Sequence, residues 1–220
     1  MFKNFKKDIR DLFFSPNSIE YLGFSSNFRL VLYYYFIFIL FLISLSIFVG
    51  WVKYFFNSES YIVLPANILF LKVAVFAPIM EEIIFRLLIR VNKFNLIIFS
   101  VFLIVFVLYE KYILSTVVYY VFNGFFLLLL FFKKLNYKLN RQLDKSKYLS
   151  LLIYISCFLF GLYHVPNFKD CSLFDIVVIA YLFSKIIAGF IFILLRLKFG
   201  IIASILFHMF INSLAYMMVS

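Results

Sequence analysis

From Leu30 to Val52 the chain runs for 23 residues without a single charged side chain. A helix over that stretch rises 1.5 Å per residue and reaches about 35 Å, enough to cross the hydrocarbon of a bilayer. Further apolar runs cover residues 61–92, 94–110, 112–132, 148–165, 173–195 and 199–219, each at or near the roughly 20 residues that a crossing needs. Composition points the same way: 66% of the 220 residues are apolar, 34 are Phe and 16 are Tyr, more aromatic bulk than one compact water-soluble core can hide. The expected fold is all-α, a polytopic membrane helix bundle of about seven transmembrane helices.

The formal net charge of +11 would raise nucleic acid as a partner in a soluble protein, but in a membrane protein it is what the positive-inside rule produces. No nucleic acid is expected. With the amino end cytoplasmic, the inside segments 1–30, 90–95, 133–147 and 196–198 hold fifteen of the 21 Lys and Arg, and the outside loops hold Lys53, Lys111 and Lys169. That bias predicts a multi-pass protein of the cell membrane with a cytoplasmic N-terminus. Residues 1–29 read as a basic interfacial segment, because Lys3, Lys6, Lys7 and Arg10 alternate with Phe2, Phe5, Ile9, Leu12 and Phe13 at helical spacing. Residues 30–220 read as one transmembrane domain, with the first long run a retained helix rather than a signal peptide. Within it, residues 94–147 resemble a helical hairpin insertion ending in a basic stretch that reads first as a plain cytoplasmic loop, with a contact for anionic lipid head groups as the alternative. Cys157 and Cys171 are too far apart for a CxxC motif.

Ionisable side chains inside such runs cost on the order of 2.5–3.5 kcal/mol each on insertion scales, so those that stay are candidates for function. Three clusters stand out. In Ala77-Pro78-Ile79-Met80-Glu81-Glu82-Ile83-Ile84-Phe85-Arg86 the i, i+4 spacing lets Glu82 and Arg86 pair on one helix face, while Glu81 points about 100° away. Glu81 is then the carboxylate left for chemistry, against the plainer reading of a charge reaching the interface along a tilted helix. The second cluster is Phe160-Gly161-Leu162-Tyr163-His164 and the third His208-Met209-Phe210-Ile211-Asn212; these are the chain's 2 histidines. A lone histidine on an apolar helix is more often hydrogen-bonded packing than a catalyst. His208 and Asn212, also i and i+4, present an imidazole and an amide toward one point, a geometry suited to stabilising an oxyanion.

Glu-Glu-x-x-x-Arg, then Phe-x-x-x-His, then His-x-x-x-Asn, in that order on apolar helices, resembles the CPBP family of intramembrane proteases, also called the CAAX-protease and bacteriocin-processing or Abi family. The similarity covers residues 61–92 and 148–219. It implies that Glu81 activates water with His164, that His208 and Asn212 hold the oxyanion, and that Glu82, Arg86 and Phe160 support them. No cofactor is required and no metal is firmly expected; zinc, if bound, would take Glu81, His164 and His208. Two departures mark this chain: Leu87 follows the motif arginine where relatives usually carry Gly, and 83 residues separate Glu81 from His164.

The resemblance implies an endopeptidase acting on a membrane-bound or lipid-associated peptide, in pheromone or bacteriocin maturation or in bacteriocin immunity. A catalytically silent membrane scaffold that binds a signalling partner is the competing expectation. A transporter would use Lys72, Glu81, Glu82, Arg86 and Lys185 as an ion path, but it calls for internal repeats, and the sequence has none.

Overall fold

The computed structural model describes residues 2–25, 27–56, 70–86, 146–165 and 175–219, with isolated positions at 89, 95, 97–99 and 101. Among these residues every regular element is helical: α1 (Phe2–Phe14), a 3-10 turn (Pro16–Ser18), α2 (Phe28–Phe55), a π-helical turn (Lys72–Phe76), α3 (Ala77–Arg86), α4 (Ser146–Tyr163), α5 (Ile176–Phe199) and α6 (Ile201–Val219). The expected spans 94–110 and 112–132 and the basic loop 133–147 fall outside the described residues, apart from the isolated positions and the start of α4. Pro65, Lys111, Lys169 and Cys171 are outside them as well.

Two helices are long and apolar enough to cross a bilayer, Phe28–Phe55 and Ile176–Phe199, each with a mean hydropathy of 2.5 over its most apolar stretch; Leu149–Tyr163 and Ile201–Met217 are shorter apolar helices. Only 11% of that stretch of α2 is buried, and Phe36, Phe41, Ile47, Trp51 and Phe55 stand exposed along it. A row of that kind is untenable in water and ordinary against lipid tails. Trp51 and Tyr54 beside Lys53 have the composition of an interfacial anchor at the helix end.

The bundle is built around α5, which packs against α2, α4 and α6. Its start is capped by Asp175, whose carboxylate accepts from the Val177 amide at 2.8 Å. Its end is Gly200 at φ 96°, a conformation that favours glycine. This single residue reverses the chain so that α6 runs back along α5. Small residues set the α4–α5 spacing: a Cβ on Gly189 would lie 3.3 Å from Cys157 Cα, and one on Gly161 would lie 2.6 Å from Ile186 Cγ1. Close backbone approach of this kind is how helices associate in lipid.

α1 is held more firmly than an interfacial helix needs. Its inner face buries Asp8, Asp11 and Leu12. Asp8 forms an ion pair with Lys198 of α5 at 2.7 Å and accepts from the Tyr34 hydroxyl of α2, while Lys6, Lys7 and Arg10 face outward. The sequence pattern showed the basic face; what it did not show is that the two acidic residues turn inward.

Within the run 61–92 the described residues deviate from α-helical register just before Pro78. A π turn carries the chain from Leu71 into α3, with the Ala77 amide bonded to the carbonyl of Lys72, five residues back. In that register residue 78 would serve the carbonyl of Val73, and proline has no N–H to give.

Candidate active site

α3 packs against α4 on one side and α6 on the other, and this brings the three sequence clusters together. Glu82 is at the centre, with no exposed surface. Its Oε1 accepts from Arg86 Nη1 at 2.8 Å, as the i, i+4 spacing predicts, and from His208 Nδ1 at 2.9 Å. Ser204 Oγ lies 2.6 Å from Oε2 and 2.9 Å from the carbonyl oxygen of Phe192. A buried carboxylate is tolerable only when paired and hydrogen-bonded, and Glu82 is both.

Arg86 is also fully buried. Its guanidinium carbon lies 4.2 Å from the ring centroid of Phe160 and 4.8 Å from that of Phe192. Its Nε and Nη2 have no hydrogen-bond partner among the described residues; the aromatic faces take the place of acceptors. The Phe192 ring stacks on His208 at 4.2 Å between centroids. Phe160 reaches every part of the cluster: its ring lies 5.6 Å from Phe85, 4.7 Å from His164 and 5.9 Å from His208.

Glu81 points away from Arg86, as its 100° offset requires, and is 7% exposed. Its Oε2 has no hydrogen-bond partner among the described residues and faces His208 Nε2 at 3.4 Å. An acceptor oxygen that is buried and unserved by the protein calls for an explanation. Here it is a carboxylate oxygen left for a proton-bearing ligand.

His164 sits in the turn after α4, half-buried. Its backbone amide bonds to the carbonyl of Gly161 at 3.0 Å, and its Nδ1 donates to the carbonyl of Phe160 at 2.8 Å. That bond leaves Nε2 as the acceptor nitrogen. The Phe160 ring thus lies between the two histidines, and His164 follows it by one helical turn.

Two expectations need qualification. His208 and Asn212 do lie on one face of α6, but neither is held in reserve as a pure oxyanion donor. His208 Nδ1 is bonded to Glu82, and its Nε2 lies 3.4 Å from Glu81 Oε2. Asn212 Nδ2 donates to the Val73 carbonyl at 3.1 Å, supplying the hydrogen bond that Pro78 cannot; one of its two N–H groups remains. Among the described residues no three His, Cys, Asp or Glu side chains assemble as a metal-holding group, so Glu81, His164 and His208 do not come together as the zinc set considered from sequence.

Two participants went unrecognised in the sequence. Ser204 precedes His208 by four residues, a spacing that could have been noticed. Phe192 is one aromatic among 34 Phe and carries no signal. Lys185, considered from the sequence only as part of an ion path, lies one turn before Gly189 on α5, with its Nζ 5.0 Å from the Tyr181 ring centroid.

The family model described as type II CAAX prenyl endopeptidase, Rce1-like, matches residues 63–214, a span that contains every side chain of this cluster. No curated protein and no solved structure matches the chain.

Proposed function

Because the chain belongs to the Rce1-like type II CAAX prenyl endopeptidase family, whose model covers more than half of it, we propose that it is an intramembrane endopeptidase cleaving a membrane-bound or lipid-associated peptide. The observation that carries this proposal is Glu81, a buried carboxylate with an unserved oxygen beside an imidazole. Such a group takes a proton from water as the water oxygen attacks a peptide carbonyl, and a water-poor site strengthens every electrostatic contribution to that step. His164, with its Nε2 left as an acceptor, is the partner that orients the water. The second N–H of Asn212 is the donor left for the oxyanion. Glu82, Arg86 and Phe160 hold the assembly.

In this proposal the protein is a multi-pass membrane protein of about seven helices with residues 1–29 on the cytoplasmic face. Support comes from α1, whose basic outer face lies at the same end of the bundle as Lys198. The substrate is a peptide met at the membrane surface, with pheromone or bacteriocin processing or bacteriocin immunity as its setting. The test compares peptide termini by mass spectrometry in membranes and medium of cells carrying the wild type, Glu81→Gln or no copy. Termini present only with the wild type are expected. If Glu81→Gln matched the wild type while the deletion had a phenotype, the protein would be a non-catalytic scaffold that binds a partner.

A further inference from the structure

On the side of α5 away from the site the bundle leaves a hollow. Ile187 and Phe192 are five residues apart, about 140° around the helix, so the face of α5 that carries Ile187 and Ile191 looks away from the stack of Phe192 on His208. α1 and α2 lie over that face and with it bound a space of about 300 Å³, lined by apolar side chains alone. Leu12, Phe38 and Ile191 form its buried floor. Aromatic pairs bracket it, Phe5 with Phe38 at 5.5 Å and Phe13 with Phe190 at 5.0 Å between centroids. Phe41, on its α2 wall, is 47% exposed, so the hollow opens toward the surroundings of α2, which for a helix of that hydropathy are lipid tails.

A hollow of this kind offers water no hydrogen bond; it stays dry and takes an apolar guest where one is at hand. α1 adds charge at its rim. Lys6, Arg10 and Phe13 fall at i, i+4 and i+7 and so lie on one line along the helix, which sets two cations beside a ring that lines the hollow. Both carboxylates of α1 are engaged elsewhere or shared: Asp8 by Lys198 at 2.7 Å and by the Tyr34 hydroxyl, Asp11 by Ser18 at 2.8 Å and by Arg10 at 3.2 Å. Asp11 meets Arg10 through Nε and Nη2, yet the Arg10 side chain is still 68% exposed. Lys6 and Lys7 are exposed as well.

We propose that this hollow binds an anionic glycerophospholipid, with one acyl chain lying between α1, α2 and α5 and the phosphate held by Lys6 and Arg10. Charge decides the class of lipid. A zwitterionic head group would bring an ammonium up to Lys6, Lys7 and Arg10, whereas a phosphate with an uncharged substituent meets cations alone. The acyl chain completes the packing beneath α1, whose polar fastenings to the rest of the bundle include the Asp8 ion pair and the bond from the Tyr154 hydroxyl to the Phe13 carbonyl at 3.0 Å. The site uses none of Glu81, His164, His208 or Asn212, so it stands or falls apart from the endopeptidase proposal.

The test is native mass spectrometry of the full chain, released from detergent after incubation with equal amounts of dioleoyl phosphatidylglycerol and dioleoyl phosphatidylcholine, which share their acyl chains. Wild type is expected to retain one phosphatidylglycerol per chain, roughly tenfold over phosphatidylcholine, the scale of one or two basic side chains at an anionic head group. Lys6→Gln combined with Arg10→Gln, both on the surface, should bring the two lipids to parity. Ile187→Trp should fill the hollow and abolish retention of either lipid, and Ile37→Trp should do so from α2; circular dichroism shows which of the two variants is folded. A wild type that holds no lipid, or both lipids equally, would overturn the proposal. So would a folded tryptophan variant that still holds phosphatidylglycerol, or a preference that survives the loss of both cations. A lipid-free dimer in place of the lipid-bound chain would overturn it in favour of a second copy seated in the groove.

Discussion

The bond between Asn212 and Val73 gives a sharp prediction, because it exists to compensate for a proline. Asn212 Nδ2 lies 3.1 Å from the Val73 carbonyl, which the π turn leaves for residue 78 to serve, and Pro78 has no N–H. Interhelical hydrogen bonds in membranes contribute about 0.6 kcal/mol on average and up to about 1.7, while orphaning a buried carbonyl costs about 1–3 kcal/mol. Asn212→Ala is therefore expected to cost about 1–2 kcal/mol. In a Pro78→Ala background a backbone amide reaches Val73 whichever helical register results, and the same substitution should cost under about 0.5 kcal/mol. The coupling of about 1 kcal/mol exceeds the roughly 0.3–0.5 kcal/mol within which independent sites add. Reversible unfolding in mixed micelles measures all four corners of the cycle. Equal costs of Asn212→Ala in the two backgrounds would refute the compensation. Activity gives a second readout: loss of an oxyanion donor costs on the order of 100–1000-fold in kcat and would persist in both backgrounds, whereas a purely structural loss would be recovered with Pro78→Ala.

Removing one partner of the buried pair at 2.8 Å, by Arg86→Met or Glu82→Leu, should cost about 3–5 kcal/mol, while the double substitution should approach wild-type stability; the double variant should nevertheless be inactive in a peptide-cleavage assay, since His208 then loses the carboxylate that orients its ring. Gly161→Ala forces its Cβ to within 2.6 Å of Ile186 Cγ1 and should cost about 1–3 kcal/mol, a loss that Ile186→Ala relieves and thermal unfolding detects. Lys198→Met leaves Asp8 buried without its ion pair at 2.7 Å, so α1 should loosen and trypsin should cut faster at Lys6, Lys7 and Arg10. Burial pushes Asp11 up, but the hydrogen bond from Ser18 and the Arg10 charge outweigh it and hold the carboxyl below its ordinary 3.8. A depressed folded value means stability that is present above the ordinary value and lost as pH falls through the folded one, so the cost of Ser18→Ala should be full at pH 7 and fade below about pH 4.

Helices in lipid announce themselves by length and apolarity, and the boundaries expected for the first run and the last three shift by only a few residues in the structure. What a hydropathy pattern cannot convey is how the helices pack against one another. Gly161 and Gly189 look like any small residues until Ile186 and Cys157 are seen against them. Asp8 and Asp11 look like the polar face of a surface helix because the pattern carries no record of Lys198 and Tyr34, far along the chain. In the site, Glu82–Arg86 was legible because its partners are four residues apart on one helix. Glu82–His208 and Ser204–Glu82 were not, since those partners are 126 and 122 residues apart.

The same distinction explains why the three motifs have to occur together. Each is costly alone: a carboxylate pair in an apolar helix, a guanidinium without enough acceptors, an imidazole and an amide facing lipid-like surroundings. Assembled, they solve one another's desolvation. Arg86 neutralises Glu82 and is covered by Phe160 and Phe192; Glu82 fixes His208; Asn212 repairs the turn that Pro78 disrupts on the way to Glu81. Among the described carboxylate oxygens of the site, Glu81 Oε2 is left buried without a hydrogen-bond donor. A carboxylate oxygen buried in that way costs stability, and the proposal that it receives a proton from water gives that cost a use.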